Sequence, residues 1–498
     1  MSSVRPVMRF PLSRVVSALE ERGLLIDAAG DLPELATGIA DDSRKVVPGS
    51  LFVAVRGSTA DGHDFLHSAS VSGAIAAVVE NAGRTSLPSI RIRDGRLAAA
   101  VAAAAAYDNP ARSLTIAGVT GTNGKTTTVG ILRHLLSTAG SPGSAASIGT
   151  LGVLGGDGSP LPGGSGLTTP GPVELQRVLR ELVNRGVRHV VMEASSHSIH
   201  QRRIAGLQFA CAVFTNLTRD HLDYHGDMES YLAAKASLVT FLAANGSAVV
   251  NADDPAWNTL PEAPHKVTYG RTNAADVRAE ELRLTPSGSR WILKVAGDRQ
   301  EVALPLVAEF NVDNALAAAA AAWSLGMSPA EIAERLTTLP QVPGRLERLA
   351  ERPAVYRDYA HTPDALERAL HAVRGFTPGR LIVVFGCGGD RDRGKRPEMG
   401  RIASELADLS IVTSDNPRTE DPERILDDIE AGMGATPHLR IEDRHEAIAA
   451  ALREAHANDD LVLLAGKGHE TYQLRGGKSY PFDEREIVRD LLNEAEAL

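Results

Sequence analysis

The segment 116–128, which reads IAGVTGTNGKTTT, carries the residue types that hold a nucleoside triphosphate. An apolar strand is predicted to run into a glycine-rich turn, after which a lysine and three threonines open a helix. Backbone N–H groups of such a turn, together with the helix N-terminus, suit phosphate oxygens. The general pattern GxxxxGK[ST] requires glycine at 119, where this chain has Val119, so an ordinary strand-to-helix turn is the alternative. The residues predicted to surround the phosphates are Gly121, Thr122, Asn123, Gly124, Lys125, Thr126 and Thr127, with Lys125 reaching the outer phosphates and the hydroxyl of Thr126 or Thr127 offered to Mg²⁺.

Other segments offer possible metal ligands. Glu193 ends the predicted strand HVVME, and a carboxylate there can hold Mg²⁺, although a helix or turn cap explains it equally well. His221 and His225 are four residues apart, which suggests a catalytic zinc site. Leu222 stands where HExxH requires glutamate, so a polar loop is an equally good interpretation. By its own surroundings, Lys235 in SYLAAKASL is an ordinary helical lysine.

Asp415-Asn416-Pro417-Arg418 follows the apolar run SIVTS and precedes a predicted helix that starts at Pro422. Pro417 favours a turn. The Arg418 guanidinium is a planar fork that matches a carboxylate through two hydrogen bonds. This segment therefore predicts a site for a carboxylate, and a surface turn with a solvated arginine is the alternative.

Three blocks of alternating strands and helices must position these residues, and we predict an α/β protein with domains 1–111, 112–343 and 344–498. In the second block, polar residues follow short apolar runs. That pattern is typical of parallel strands that are buried on both faces and carry functional groups at their carboxyl ends. The segment 152–166, rich in glycine and proline, is predicted to be a mobile loop, and 97–107 a buried or half-buried helix. The predicted strands are 51–55, 75–79 and 89–92, then 190–193, 212–216 and 248–251, then 381–385, 410–413 and 461–464.

Composition restricts the partners and the compartment. The 498 residues are 43% hydrophobic and 23% charged, as in ordinary globular proteins too long for one core. The net charge of −10 argues against a nucleic-acid partner. The only two cysteines, Cys211 and Cys387, match no metal motif and exclude a disulfide framework, so a reducing cytoplasm is expected. The first residues lack the apolar stretch of a secretory signal, and no segment is long enough to span a bilayer, so no membrane insertion is expected.

Eight motifs, in order along almost the whole chain, resemble those of the Mur ligases, a family of ATP-dependent amide ligases with three α/β domains. The resemblance implies a central parallel-sheet ATPase domain of the P-loop type and a Rossmann-like C-terminal domain. It also implies a cytoplasmic enzyme of peptidoglycan precursor synthesis, expected to be a monomer. The motifs are TGTNGKTTT (120–128), MEASSH (192–197), TNLTRDHLDYHGDMESYLAAK (215–235), EFNVDNALAA (309–318), DYAHTPDAL (358–366), GCGGDRDRGKRP (386–397), TSDNPR (413–418) and AGKGHE (465–470).

The resemblance assigns roles by position. It makes Lys125, Glu193, His221 and Lys235 catalytic, and it implies two Mg²⁺ ions held by Thr126, Glu193, His221 and a CO₂-derived carbamate on Lys235. Carbamylation needs a neutral amine, so burial or nearby cations should lower the pKa of Lys235. Further ATP contacts are implied for Asn216, Asn311, Arg345 and Asp358.

Within the family, the DNPR motif accompanies the members that add meso-diaminopimelate to UDP-N-acetylmuramoyl-L-alanyl-D-glutamate through an acyl phosphate. The resemblance implies that the diaminopimelate-binding residues are Arg391, Asp415, Asn416, Pro417, Arg418, Gly466 and Glu470. It implies that the UDP-muramoyl-dipeptide is bound by Ser43, Ser58, Thr59, Ala60, Thr168, Thr169, Ser195, Gln201 and Arg203.

Three alternative functions leave part of this sequence pattern unexplained. A lysine-adding relative departs from the arginine of DNPR, which matches the distal carboxylate that diaminopimelate has and L-lysine lacks. Folylpolyglutamate synthase lacks the N-terminal uridine-nucleotide domain that the segment 41–65 resembles. A nucleotide-dependent switch ATPase would leave Lys235, DNPR and the GKGHE motif without a role.

Overall fold

The computed structural model of the protein describes residues 8–57, 60–137, 142–164, 166–272, 274–285, 287–455 and 459–496. The chain forms two compact units, Met1–Arg278 with Asn314–Ile332 and Ala279–Asp313 with Ala333–Leu498. The first unit contains an N-terminal sheet and a central parallel sheet, and the second contains a C-terminal sheet. The three-domain α/β fold is confirmed, and the boundaries after residues 111 and 343 stay predictions.

The N-terminal sheet has five strands. Leu25–Ala29 pairs antiparallel with Ser89–Ile92, and the other strand pairs are parallel. The helix Gly95–Ala106 packs against it with almost every alanine buried, which confirms the predicted apolar helix. Asp94 caps this helix by accepting a hydrogen bond from the Leu97 N–H at 3.0 Å. The strand order is Leu25–Ala29, Ser89–Ile92, Ala74–Val79, Ser50–Val53, Gly38–Ala40; the other helices are Leu12–Glu21 and Leu66–Val71.

The central sheet is parallel over the six strands around the segment 116–128. Their buried runs are nearly continuous because helices cover both faces, and their carboxyl ends lie at one edge. The strand order is Ala145–Gly149, His189–Glu193, Thr115–Thr120, Phe209–Phe214, Leu242–Asn251, His265–Gly270; the helices are Lys125–Leu136, Pro172–Asn184, Ser196–His200, Leu222–His225, Met228–Ala236, Glu309–Ser324 and Pro329–Thr337.

The prediction of a loop over 152–166 is wrong for part of that segment. Gly152–Gly155 pairs antiparallel with Ala145–Gly149 and with Pro160–Leu161, which extends the edge of the central sheet. Val153 and Leu154 are buried there and supply the apolar area that a strand needs. Gly152, at the start of the strand, and Gly158, in the turn that follows it, have φ values of 84° and 85°, which favour glycine.

The C-terminal sheet has six strands, and only its first pair is antiparallel. Every strand predicted from the sequence overlaps an observed strand, and the predictions 51–55, 212–216 and 410–413 run one or two residues past its end. The strand order is Glu347–Glu351, Ala354–Asp358, Leu461–Ala465, Leu381–Phe385, Leu409–Val412, His438–Arg440. The helices are Pro363–Arg374, Lys395–Leu406, Pro422–Glu430, Arg444–Glu454 and Glu484–Glu496. The second unit also has two antiparallel hairpins, Gly288–Val295 with Asp298–Leu304 and Tyr472–Arg475 with Lys478–Pro481.

Both cysteines are buried and free, and burial raises the pKa of each thiol to about 12. Free thiols agree with the expectation that no disulfide shapes the fold. None of the helices in the described parts of the chain combines the length and the apolarity needed to cross a membrane.

Candidate active site

The segment 116–128, predicted to bind phosphates, forms a strand, a short turn and a helix, as the sequence predicts. Gly121 has φ 144°, and a Cβ there would lie 1.8 Å from the Thr215 hydroxyl oxygen. Gly124 has φ 83°, and its Cβ would lie 2.2 Å from the side-chain oxygen of Asn314. Both positions therefore require glycine, because a side chain would be strained and would also collide with a neighbouring strand or helix.

Asn216 and its neighbour Thr215 hold the turn in shape. The Asn216 side-chain oxygen accepts from the Asn123 N–H at 3.0 Å, and its main-chain carbonyl accepts from the Thr122 N–H at 2.7 Å. The Thr215 hydroxyl donates to the Asn123 carbonyl at 2.7 Å. Asn216 therefore contacts the turn itself, which places it next to the segment where the sequence predicts phosphates.

Two lysines converge on one carbonyl of this turn. Lys125 Nζ donates to the Gly121 and Thr122 carbonyls at 3.0 and 2.8 Å, and Lys235 Nζ donates to the Gly121 carbonyl at 2.7 Å. Lys235 is only 1% exposed, and its Nζ lies 4.4 Å from the centroid of the Tyr231 ring. Burial, followed by the charge of Lys125, lowers the pKa of Lys235 well below its ordinary value, against the opposing effect of Asp220.

Glu193 lies beside the first turn of the phosphate-binding helix. It is 1% exposed, and its Oε1 accepts from the Thr126 hydroxyl at 3.0 Å and from the Thr150 N–H at 2.8 Å. Two adjacent oxygen donors next to a phosphate-binding turn suit Mg²⁺. Thr150 was not predicted. It follows the strand Ala145–Gly149, the sheet neighbour of the strand that ends in Glu193, so strand order was the signal that would have found it.

His221 belongs to a cluster of imidazole rings. The His197 ring centroid lies 4.8 Å from that of His221 and 5.6 Å from that of His225. Burial, with the charges of these two neighbours next, lowers the pKa of His197 to about 4, and burial also lowers the pKa of His221. Neutral imidazoles can act as ligands. Over the residues that the structure describes, no three His, Cys, Asp or Glu side chains are grouped as ligands of one metal ion.

Five residues predicted for the muramoyl-dipeptide come together around the main chain that follows Glu193. The Thr169 hydroxyl donates to the Glu193 carbonyl at 2.8 Å and accepts from the Ser195 N–H at 3.3 Å. Arg203 donates to the Thr169 carbonyl at 3.0 Å and to the Gln201 side-chain oxygen at 3.1 Å. The Thr150 hydroxyl lies 3.3 Å from that of Thr168.

The N-terminal positions predicted for the same substrate are less informative. Ser43 is half-buried and begins the short turn Ser43–Lys45, and Ala60 is exposed. Ser58 and Thr59 lie outside the described residues.

The DNPR and GKGHE motifs meet in the second unit. The Asn416 side chain donates to Glu470 Oε2 at 2.8 Å. The fully buried Lys467, which was not predicted, places its Nζ 3.6 Å from Asp415 Oδ1 and 3.5 Å from Glu470 Oε2. Burial raises the pKa of Glu470, against the opposing charge of Lys467. A Cβ on Gly466 would lie 3.2 Å from Asp415 Oδ2, so this glycine lets the two segments approach closely.

Arg418 turns its guanidinium towards a glycine-rich loop. Its Nη1 donates to the Gly389 carbonyl at 2.7 Å. A Cβ on Gly388 would lie 2.8 Å from that Nη1 and 3.9 Å from Arg391 Cγ, so the two predicted arginines flank Gly388. Pro417 precedes Arg418 in a turn closed by the Glu420 N–H on the Pro417 carbonyl at 3.0 Å.

The remaining predicted ATP contacts lie in the second unit. Asp358 ends a strand, its Oδ2 accepts from the Leu346 N–H at 2.7 Å, and burial raises its pKa to about 6 against the opposing charge of Arg345. The Arg345 guanidinium lies 5.0 Å from the Tyr359 ring centroid. The Asn311 side chain is 1% exposed and donates to the Val307 carbonyl at 2.8 Å.

Comparisons with known proteins show similarity in sequence and fold along almost the whole chain. Residues 36–116 match the profile of the Mur ligase family catalytic domain, residues 119–322 the Mur ligase middle domain, and residues 344–468 the Mur ligase glutamate ligase domain. Two relatives are called UDP-N-acetylmuramoyl-L-alanyl-D-glutamate--2,6-diaminopimelate ligase. The one from Gloeobacter violaceus is 46% identical over 97% of this chain and 99% of its own, and the one from Geobacillus thermodenitrificans is 45% identical over 91% and 94%. A solved structure of a ligase of the same name is 33% identical, with a TM-score of 0.67 over 95% of this chain and 98% of its own.

Proposed function

The chain belongs to the Mur ligase family, and we propose that it joins meso-2,6-diaminopimelate to UDP-N-acetylmuramoyl-L-alanyl-D-glutamate at the expense of ATP. Relatives that are 45–46% identical over more than nine-tenths of the chain bear the name of a 2,6-diaminopimelate ligase. The reaction builds a peptidoglycan precursor from small molecules, and we expect the enzyme to act as a cytoplasmic monomer.

The chemistry is acyl activation. The γ-carboxylate of the D-glutamyl residue attacks the γ-phosphorus of ATP, and ADP leaves. The amine of diaminopimelate then attacks the acyl phosphate through a tetrahedral intermediate, inorganic phosphate leaves, and the amine loses a proton. The first step brings a carboxylate to a polyanion, so fixed positive charge and precise positioning are what the protein must supply.

The turn Gly121–Gly124 and the helix that begins at Lys125 supply the phosphate half of this site. The N–H groups at the helix N-terminus suit phosphate oxygens. Lys125 already lies over the turn through its hydrogen bonds to two carbonyls, from which its flexible side chain can extend to the β- and γ-phosphates. Asn216 keeps the turn in its phosphate-binding shape. Asn311, Arg345 and Asp358 remain proposed nucleotide contacts.

Thr126 and Glu193 fit Mg²⁺, because a hydroxyl and a carboxylate oxygen 3.0 Å apart are hard ligands next to the proposed phosphates. The bound ion would offset phosphate charge. We propose that a second Mg²⁺ is held by His221 and by Lys235 as its carbamate. The lowered pKa of Lys235 supports this role because only the neutral amine can add CO₂.

The other two substrates, the UDP-muramoyl-dipeptide and diaminopimelate, are proposed to bind to two separate groups of residues. We propose that Thr168, Thr169, Ser195, Gln201 and Arg203 bind the muramoyl-dipeptide, together with Ser43, Ser58, Thr59 and Ala60 for the uridine nucleotide. In the second unit, Arg418 and Arg391 would pair with the distal carboxylate of diaminopimelate, and Glu470 and Asp415 with its ammonium group. Asn416, Pro417 and Gly466 complete the proposed diaminopimelate site.

The observation that supports the proposal most strongly is the cluster in which the Asn416 side chain of the DNPR motif donates to Glu470 of the GKGHE motif at 2.8 Å, with Arg418 two residues further along the chain. A switch ATPase needs no such cluster, and a lysine-adding enzyme has no distal carboxylate to pair with Arg418. ADP release should therefore require both the muramoyl-dipeptide and an amino acid. Full ATP hydrolysis without them would refute the ligase function.

Competition between meso-diaminopimelate and L-lysine tests the specificity. We expect strong preference for diaminopimelate, measured as the ratio of the two kcat/KM values. Truncating one partner of a desolvated charge pair costs about 2–5 kcal/mol, so Arg418→Ala should lower this ratio by about 30-fold to several thousand-fold. Equal use of lysine by the unaltered enzyme would contradict the specificity but leave the ligase chemistry standing.

A further inference from the structure

The loop that carries Arg391 and the loop that carries Arg418 touch along their main chains. They follow two neighbouring parallel strands of the C-terminal sheet. The Gly389 N–H of the first loop donates to the Asn416 carbonyl of the second at 2.9 Å. A Cβ on Gly389 would lie 2.0 Å from the Pro417 carbonyl oxygen, so the loops leave no room for a side chain at this position.

Each loop contains a residue in the left-handed region that is not glycine. Asp390 has φ 54° and Arg418 has φ 56°. This conformation is unfavourable for such residues and persists only where the surrounding contacts hold it. A neighbouring hairpin holds Arg418, whose N–H donates to the Leu474 carbonyl at 2.9 Å and whose carbonyl accepts from the Gly476 N–H at 2.7 Å. Asp390 is held by a side chain instead, because its N–H donates to Glu420 Oε1.

A buried arginine fixes the Glu420 carboxylate. Arg396, on the helix Lys395–Leu406, is fully buried, and its Nη2 donates to the two Glu420 oxygens at 3.0 and 3.1 Å. Its Nη1 donates to Glu420 Oε2 at 3.2 Å and to Asp428 at 2.8 Å. The planar guanidinium and the carboxylate therefore have one preferred arrangement, and the Glu420 oxygen that receives the Asp390 N–H has a defined position.

The peptide group between Gly389 and Asp390 transmits this position to Arg418. Its N–H donates to Glu420, and its carbonyl accepts from Arg418 Nη1 at 2.7 Å. The N–H and C=O of a planar trans peptide point in opposite directions, so anchoring one side fixes the other. Thr419 adds a second link, since its hydroxyl and its N–H both donate to the Asp390 carboxylate, at 2.9 and 3.1 Å.

We propose that Glu420, held by Arg396, is a positioning residue that sets the preference for an amino acid with a distal carboxylate. It fixes the peptide group that orients the Arg418 guanidinium, and the same loop carries Arg391. These two arginines would pair with the carboxylate that L-lysine lacks, so this role rests on the proposed function. Neither Glu420 nor Arg396 is among the residues assigned to the substrates.

Glu420→Gln tests this role with little change in shape. Both carboxylate oxygens accept only from N–H groups in the described structure, so the amide NH₂ would face a donor in either orientation. We expect the ratio of kcat/KM for meso-diaminopimelate to that for L-lysine to fall about tenfold or more, because small displacements of positioning groups have effects of this size. The KM for diaminopimelate should rise, while the KM values for ATP and the muramoyl-dipeptide stay unchanged. A purely structural role would lower the melting temperature and leave the ratio unchanged.

The helix Lys395–Leu406 offers matched controls. Arg401 and Glu405 form an exposed ion pair on it, so Arg401→Met and Glu405→Gln should leave the ratio unchanged. Arg396→Met should lower the ratio as Glu420→Gln does, and the double variant should fall no further, because both changes act through one interaction. An equal fall in Glu405→Gln would contradict the role of Glu420.

Thr419→Val keeps the test decisive should Glu420→Gln fail to fold. Thr419 is exposed, and the variant removes only the hydroxyl that donates to Asp390, so the ratio should fall about twofold to tenfold. An unaltered enzyme that prefers diaminopimelate, with the same ratio in the folded variants of Glu420 and Thr419, would overturn this inference and leave the proposed function standing. An unaltered enzyme without that preference would refute the proposed specificity and this inference with it.

Discussion

Replacing Lys235 with alanine tests whether this buried amine carries a carbamate. Its Nζ is held 2.7 Å from the Gly121 carbonyl, and burial keeps its pKa far below that of an exposed lysine. In the variant, Lys125 Nζ still donates to the Gly121 carbonyl at 3.0 Å, so the phosphate-binding turn should keep its shape. The variant therefore removes the proposed anion without removing the turn.

The expected loss of kcat in Lys235→Ala follows from the proposed role of the carbamate, which is to stabilise charge in the transition state. A pre-organised group that stabilises transition-state charge contributes about 10²–10³-fold to kcat when one such group is removed. We expect Lys235→Ala to lose that factor in ADP release, with a smaller change in the KM for ATP. Activity of the unaltered enzyme should rise with bicarbonate in CO₂-depleted buffer, and activity of the variant should not. Formate or acetate should restore part of the variant's activity, because a short carboxylate fits the space vacated by the lysine side chain.

Lys125→Ala is the matched control, since this neighbouring lysine shares the Gly121 carbonyl but is proposed to act as a cation. It should also lose activity, and short carboxylates should not restore it. Full activity of Lys235→Ala without any added acid would refute the carbamate. Equal rescue of both variants would refute the assignment of the anion to Lys235.

Three further predictions concern Glu193, Gly124 and Asp358. Glu193→Gln keeps the shape of the side chain and removes its negative charge, so the Mg²⁺ concentration for half-maximal activity should rise about tenfold or more. An unchanged Mg²⁺ requirement would argue against Glu193 as a ligand. Gly124→Ala should abolish nucleotide binding, because its Cβ would lie 2.2 Å from the Asn314 oxygen, whereas Gly23→Ala, at φ 66° with open space around it, should cost only about 1–2 kcal/mol of stability and leave binding intact. Asp358 has its pKa raised from 3.8 to about 6, so the native state binds more protons than the unfolded state in that interval, and the free energy of unfolding should fall as pH rises through it, by at most about 3 kcal/mol. In Asp358→Asn, denaturant unfolding at pH 4 and pH 6.5 should lack this fall, and an undiminished fall would contradict the assignment.

The sequence predicted the parallel strands well because strands buried on both faces read as short apolar runs bounded by polar residues. It failed at Gly152–Gly155, where glycine-rich composition concealed two buried side chains that pair along a sheet edge. Two apolar side chains are too few for the amino-acid composition of the segment to indicate a strand. The strand is stabilised by its pairing with the neighbouring strand Ala145–Gly149.

Side chains that support the proposed site were harder to predict than those with obvious chemistry. Thr150 and Lys467 are ordinary residue types, and what distinguishes them is the carboxylate that each one faces: Glu193 for Thr150, and Glu470 for Lys467. Thr150 is 43 positions from Glu193 in the chain, so only the order of strands brings the two together. Lys467 is three positions from Glu470, but its complete burial depends on segments far away in sequence.

The departure from the general phosphate-loop pattern has a structural reason. Val119 is a buried interior residue of the strand Thr115–Thr120, where it pairs with Glu193 and with Val213, so a glycine at 119 would weaken the strand. Gly118 is also in the strand, and its Cβ would lie 2.7 Å from the Phe209 ring, so that glycine serves packing. The turn starts only at Gly121 and is four residues long. A shorter turn offers fewer N–H groups, which increases the share of phosphate charge that Lys125 and the proposed Mg²⁺ ligands must neutralise.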